Sequence, residues 1–539
     1  MLGYTHTERF LSLFTTLRAG EGSSVLRLCQ QVFVIMFAYY MLKVIREPLI
    51  LADGSAELRA YTTAMQAILL MAIVPLFARL YQRASGRDGK HHLLGNTLLF
   101  FVVNLVGFAL AYEQGWRIAI AFYVWLGIFS VMVLALFWAF AADLFNLKSG
   151  QRIFPLVAAA GALGALLGSW LAGWLYLYLG HAGVMLAAAG LLLYPWWLSG
   201  RTESSVPVES KSHVNTPPEV QPYPLLEGFM VVWRNRYLVL IAVFVILLNL
   251  INTNGEYILA TFVTEHAREV AQDGSTDAWI TLFYSRYFFI TTGLSFLIQL
   301  FLVAKIYDKL GIEKALCILP VLMLINYGII ALVPVLMVAR TALILENSVY
   351  YSLQNTTRHA LFLPVSRKEK YVGKHTIDTF FFRLGDVFSG GFVYLASAIL
   401  GLGIVGFVII NILLAGALLQ LSRAIGARHR VAARENLSNR PPVLSQPLED
   451  VHIPAGRVSR LQLDDDTFTD EDVGDALRYR AYMFYSRRLP PWIKFDSLNR
   501  RFEFRPPPAV SGSVQIRVVA RDFEGLEAEE SFTLTCTPD

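Results

Sequence analysis

Twelve apolar stretches, each near the roughly 20 residues that a helix needs to cross a bilayer, dominate this 539-residue sequence. They run at 28–50, 60–82, 93–112, 116–144, 153–178, 181–199, 237–263, 278–304, 312–333, 336–362, 376–400 and 403–423. The tenth is the most interrupted, by Glu346, Asn347, Gln354 and Arg358. Only 16% of residues are charged and 55% are hydrophobic, whereas soluble domains carry about 25% charge. One buried core cannot absorb that much apolar surface, so much of it must face lipid. The expected fold is an all-α membrane bundle of about twelve transmembrane helices, in two six-helix halves, with a small all-β sandwich at the C-terminus.

The loops set orientation. Arg79, Arg83, Arg87 and Lys90 fall in one loop, and Lys148 and Arg152 in the next but one. The same alternate set continues with Arg201, Lys211, Arg234 and Arg236; with Lys305, Lys309 and Lys314; with Arg367, Lys368, Lys370 and Lys374; and with Arg423, Arg428, Arg430 and Arg434. The opposite loops hold little beyond Arg59, Arg117 and Arg268. An excess of Lys and Arg marks the cytoplasmic side, so both termini are expected there, in a bacterial inner membrane. Residues 1–27 read as a cytoplasmic lead-in rather than a cleaved signal, because no short apolar run ends in small residues. The first half spans 28–199. The segment 200–236 carries Pro207, Pro217, Pro218, Pro222 and Pro224 and reads as a cytoplasmic linker. The second half spans 237–424. Gly161, Gly164 and Gly168 in GALGALLG and Gly385, Gly390 and Gly391 in RLGDVFSGG occupy matching places in the two halves. Close helix packing is the plainer reading of such glycines.

A basic, proline-containing linker at 425–455 leads into a polar stretch, 456–539. RVSRLQL, ALRYRAYMF, RRFEFR, SVQIRVVARD and AEESFTLTC alternate as strands do. With LPPWIKFDSLNRRFEF and ARDFEGLEAEES, the stretch resembles a cadherin-like, dystroglycan-type sandwich. The resemblance implies calcium candidates at Asp470, Asp472, Asp475 and Asp522, for which solvated turns are the plainer reading. It also implies a regulatory or partner-binding role.

Charges inside spanning helices are expensive and usually face a cavity or a partner. Lys43, Arg46 and Glu47 end the first stretch; Asp143 ends the fourth. The seventh holds Asn249, Asn252, Asn254 and Glu256 in NLINTNGEY, where Gly255 suggests a locally loosened helix. Arg286 lies in the eighth; Arg340, Glu346 and Arg358 in the tenth; Asp378, Arg383 and Asp386 in the eleventh. Arginines in a dry cavity grip phosphate or carboxylate in pairs of hydrogen bonds. The candidate substrate-cavity or gating residues are therefore Lys43, Arg46, Glu47, Asn252, Glu256, Arg286, Glu346, Arg358, Arg383 and Asp386, and an anionic or zwitterionic solute is favoured over a neutral one.

YYMLKVIREPLI, LFWAFAADLFNLKSGQRIFPL, YSLQNTTRHALFLPVSRKEKYVGKHTID and RLGDVFSGG together resemble the ATP/ADP translocase family of bacteria and plastids, over roughly residues 20–425. The resemblance implies a twelve-helix, major-facilitator-like carrier exchanging nucleotides. It matches the family's seventh-helix glutamate at Glu256. Thr63, Leu126 and Asp386 stand where the family carries a lysine, a glutamate and a lysine.

Catalysis finds no support: the sequence has no GxxxxGK[ST], HExxH or GxSxG. Cys29, Cys317 and Cys536 lie too far apart to build a metal or disulfide framework. No cofactor is implied, and no basic stripe suggests nucleic acid. The expected function is secondary transport by alternating access. The alternative is a transporter-derived receptor or scaffold whose C-terminal domain binds a partner.

Overall fold

The computed structural model describes residues 22–52, 54–145, 147–202, 225–270, 276–365, 369–437, 441–464, 466–470, 477–486, 488–497, 499–522 and 525–538, with 85–89 excepted. The chain divides into two compact units. One comprises Met1–Phe362 with Tyr371–Arg428, the other Leu363–Lys370 with His429–Asp539.

The first unit is helical. Its elements are α1 (Gly22–Ala52), α2 (Ala56–Ala84), α3 (Lys90–Glu113), α4 (Ala119–Leu144) and α5 (Leu147–Thr202), followed by α6 (Leu225–Arg234), α7 (Arg236–Val270), α8 (Thr276–Phe301) and α9 (Val303–Leu332). Helix α10 (Leu336–Val349) runs through a π-helical turn, Tyr350–Gln354, into Asn355–Ala360. Helix α11 (Phe382–Val393) is flanked by π-helical turns at Ile377–Phe381 and Tyr394–Ile399, and α12 (Ile404–Leu437) completes the set.

Eight helices among the described residues are long and apolar enough to cross a bilayer. One apolar run, Ile153–Ser199 in α5, has 47 residues, which as one straight helix would measure about 70 Å, over twice a bilayer core. Gly180 divides it with φ 64° and ψ −168°, a conformation that only glycine adopts freely. With the two parts counted separately, and α8, α10 and α11 beside them, the twelve expected crossings are present. Helix α8 is long enough but is interrupted by polar and aromatic residues, whereas α10 and α11, of 14 and 12 residues, are cut short by their π-helical turns; the three carry much of the buried polar chemistry. Helix α6 lies inside the segment expected to be a linker, and Gly228 sits so close to Thr376 that an added Cβ would come 2.1 Å from its hydroxyl. Residues 203–224 of that segment, and 1–21, lie outside the described residues.

The second unit is a β-structure. Its strands are β1 (Val443–Leu444), β2 (Val451–Pro454), β3 (Ser459–Gln462), β4 (Phe468–Thr469), β5 (Arg478–Met483), β6 (Ile493–Asp496), β7 (Arg501–Phe504), β8 (Gly512–Arg521) and β9 (Glu527–Thr537). They pair in the orders β2-β9-β8-β5, β3-β7-β6 and β1-β4, antiparallel except where β2 runs parallel to β9. The β8–β9 hairpin pairs from Gly512 with Cys536 to Arg521 with Glu527. Its inward residues Ile516, Val518, Phe532 and Leu534 meet Phe502 and Phe504 of β7 in the core.

Candidate functional site

The charges at the end of α1 converge with the start of α2, because only residues 53–55 separate the two helices. Glu47 is fully buried and takes hydrogen bonds from two guanidinium groups. Arg46, its chain neighbour, donates to one oxygen. Arg59 of α2 donates from Nε to the other at 2.7 Å. The second arm of Arg59 crosses to the other half, where Nη2 donates to Glu256 of α7 at 2.8 Å. The next residue of α7, Tyr257, donates to Glu57 of α2 at 3.0 Å. These two contacts join α2 to α7 at the same level. Arg46 also lies on the ring face of Tyr123 from α4, 4.1 Å from its centre, a cation–π arrangement favoured where water is excluded.

Lys43 is different. It is half-buried, and no carboxylate pairs with it among the described residues. Its ammonium rests instead on ring faces: 4.4 Å from the centre of Phe288 (α8), 5.1 Å from Tyr40 and 5.9 Å from Tyr351 (α10). The cluster thus holds three cations, Lys43, Arg46 and Arg59, against two carboxylates, Glu47 and Glu256.

Helix α7 connects the second half. Asn252 donates to Asn347 of α10 at 2.8 Å, and Asn347 donates to Tyr287 of α8 at 2.7 Å. Asn249 and Thr253 donate to Asp386 of α11 at 2.8 and 2.9 Å. Asn254 donates to Asn411 of α12 at 3.2 Å and accepts from Ser389 of α11 at 2.6 Å. The expected loosening at Gly255 is not found. The helix is continuous from Arg236 to Val270, and Gly255 serves a close approach, since a Cβ there would lie 2.4 Å from the Tyr327 hydroxyl. The asparagine side chains satisfy one another across helices, so the main chain has no need to open.

The remaining candidates separate. Arg383 stands 3.6 Å from Asp386, and Arg358 and Lys374 stand 3.9 and 3.8 Å from Asp378. Glu346 is fully buried on α10 and accepts from Tyr327 of α9 at 3.2 Å. Arg286 is not brought to any of these groups. It is exposed on α8, on the stripe of Phe289, Ile290, Leu297 and Leu300, while Tyr284, Tyr287 and Phe288 form the buried stripe. The side chains of Asp143 and Arg152 lie outside the described ones.

Two contributors are missing from the sequence candidates. Arg59 reads as a loop residue, yet it is 4% exposed and bridges the halves. Gln354 reads only as an interruption, yet it is 1% exposed and its amide finds no hydrogen-bond partner among the described residues. It sits on the π-helical turn of α10, beside Arg358, and such turns often mark functional positions.

In the β unit, Asp522 is buried and uses one oxygen to accept the main-chain N–H of Leu526 at 2.8 Å and that of Gly525. It ties the β8–β9 turn. Asp472 and Asp475 lie outside the described residues. Among the described residues no three His, Cys, Asp or Glu side chains gather as a metal site.

Twelve helical crossings with charges sequestered between them, and hydrogen bonds reaching from one set of six helices to the other, define a polytopic membrane transporter. Residues 28–373 match the model of the Major Facilitator Superfamily, and the chain belongs to that superfamily. Residues 441–537, which hold the β unit, match the model of a Putative Ig domain. The nucleoside transporter NupG is similar in fold, with 14% identity, 74% of this chain and 98% of that chain covered, and a TM-score of 0.51. A bacterial homologue of the human lysosomal transporter Spinster, inward-facing and unoccupied, has 11% identity, 78% and 98% coverage and a TM-score of 0.53. A bacterial homologue of the iron transporter ferroportin, also inward-facing, has 12% identity, 76% and 98% coverage and a TM-score of 0.52. No curated protein sequence matches the chain. The protein is a secondary transporter of a small molecule, not an enzyme.

Proposed function

We propose that the transported solute is an organic anion, with a nucleotide as the leading class, and that it binds between the halves at Lys43. The observation that carries this reading is the unpaired charge of Lys43 amid aromatic rings. Arg46 and Arg59 are already neutralised by Glu47 and Glu256. Lys43 is the cation left over, and an uncompensated charge in a dry site calls for an anionic partner. Tyr40, Phe288 and Tyr351 offer ring faces on which a base or other flat group can stack.

In this reading Arg59–Glu256 and Glu57–Tyr257 form a gate that holds the halves together at one end. Arg358, Asp378, Arg383 and Asp386 serve the other end, and Asn252 braces α7 against α10. The loop charges support an inner-membrane protein with both termini in the cytoplasm. The β unit is then a cytoplasmic module that binds a partner.

Reconstituted vesicles tested with labelled ATP, ADP and a panel of organic anions decide the substrate class. Lys43→Gln is expected to raise the KM for the transported anion by roughly ten- to a hundredfold, the equivalent of a charge-assisted hydrogen bond of about 1.5–3 kcal/mol. Unchanged kinetics in that variant would remove Lys43 from the site. Movement of neutral solutes only would end the anion reading.

A further inference from the structure

We propose that Glu346 is a proton-binding site, taking up and releasing one proton per transport cycle and so coupling solute movement to a proton gradient. The proposal rests on the superfamily's secondary transport and does not depend on which solute moves.

Glu346 is a carboxyl group with 0% exposure in the interior of the second half. Its Oε1 accepts one hydrogen bond, from Tyr327 at 3.2 Å. Its Oε2 has no hydrogen-bond partner among the described residues. No basic side chain pairs with it there either. Arg340, on the same helix, turns its guanidinium onto the ring of Phe283, 5.6 Å from the centre. The other ionisable groups facing this place are Tyr327 from α9 and Tyr287 from α8, and Tyr287 also lies within electrostatic reach of Glu256 of α7 and Arg59 of α2. The contrast with Glu47 is direct: that carboxylate is equally buried but receives two guanidinium groups. A buried carboxylate without such partners is costly as an anion, whereas the carboxylic acid is tolerated. Oε2 is the atom left for the proton. Asn326 of α9 brings its neutral amide beside the same carboxyl group, which adds no positive charge.

The location suits coupling. Asn347, the next residue, receives Asn252 of α7 and donates to Tyr287. Gly255 packs directly on Tyr327, the donor to Glu346, and Glu256 follows it in the chain and binds Arg59 across the halves. A change in the charge of Glu346 therefore acts on the helix segment that carries the inter-half contact. The proton enters from the solution on one side, resides on Oε2, and leaves to the other side; no other bond changes.

The full chain in lipid nanodiscs gives the direct test. Infrared difference spectra on pH titration are expected to show a protonated carboxyl band that is absent from Glu346→Gln. A band unchanged in that variant, or no titrating band in the native protein, overturns the proposal. Tyr327→Phe retains the carboxyl and removes its donor, so it should move the midpoint of the band; an unmoved midpoint assigns the band elsewhere and also overturns it. In vesicles with labelled ATP and ADP as probes, one proton per cycle raises accumulation by about tenfold for each unit of imposed pH gradient. Glu346→Gln should lose that rise. Accumulation that follows a sodium gradient at fixed pH, in place of the pH gradient, overturns the proposal. If neither nucleotide moves while the band vanishes in Glu346→Gln, the nucleotide reading fails and the proton site stands.

Discussion

The contact of α1 with α5 and the contact of α7 with α11 hold matching places in the two halves, but they use different chemistry. In the first half, Gly164 and Gly168 lie against the main chain of α1, where an added Cβ would come 2.2 Å from the carbonyl oxygens of Phe33 and Phe37. In the second half, Gly385 makes a similar approach to α7, with the Ile246 carbonyl oxygen at 2.8 Å from an added Cβ. There, however, Asn249, Thr253 and Asn254 also reach Asp386 and Ser389 on α11. Glycine against main chain allows one position, because any shift opens a gap or a clash. Side-chain hydrogen bonds between helices in lipid are individually modest, averaging about 0.6 kcal/mol, and can be exchanged for others. The first half is thus built as a frame, and the second half carries the polar groups whose partners can change.

Arg59 tests the junction of the two and should give the largest effect. It holds Glu47 from the first half and Glu256 from the second. Arg59→Gln leaves Glu47 fully buried with one guanidinium in place of two. Removing one partner from a buried ion pair costs about 3–5 kcal/mol. A large fall in thermal stability together with loss of transport is expected, measured on purified protein and in vesicles. A stable, active Arg59→Gln would break the view that the halves meet through this residue.

Gly164→Ala comes next and probes the frame. The added methyl group must displace the α1 main chain, and overpacking of this kind costs about 1–3 kcal/mol. Gly391→Ala is the control, because nothing lies within 4 Å of a Cβ built there. Equal thermal stability of the two variants would remove the distinction between packing glycines and incidental ones.

The sequence made this comparison only partly visible. Charges stand out in apolar runs, so Lys43, Arg46, Glu47, Glu256 and Glu346 could be picked out without a structure. Their partners could not, because pairing is decided by which helices meet. Arg59 shows this most clearly: four residues after Ser55, in the first turns of α2, it has the sequence context of a loop, and the packing of neighbouring helices around it, α1 and α7 among them, buries it. Arg286 fails in the opposite direction. Helix α8 is apolar or aromatic on both faces, so no period in the sequence tells the buried stripe of Tyr284 and Phe288 from the exposed stripe of Phe289 and Ile290. In the β unit the alternating runs contain β3, β5, β7, β8 and β9, whereas β1 and β4, of two residues each, are too short to leave a pattern. Asp522 could pass for a metal ligand because a turn-capping aspartate and a calcium aspartate look alike until the N–H donors are located.

The smallest expected effect sharpens the comparison most. Asn254 is fully buried and ties α7 both to Ser389 of α11 and to Asn411 of α12. If hydrogen bonds of the second half are exchangeable, deleting one should cost little stability. The variants Asn254→Ala and Ser389→Ala, and the two combined, measure the coupling between these side chains directly. A coupling of about 0.6 kcal/mol, and no more than about 1.7 kcal/mol, is expected from comparable pairs in membrane helices. Transport should change more than stability, because the balance between conformations depends on differences of the same size. A coupling of several kcal/mol would mean that α7 and α11 are locked as firmly as α1 and α5. The contrast between frame and exchangeable half would then fail at the helix pair where it is drawn most sharply.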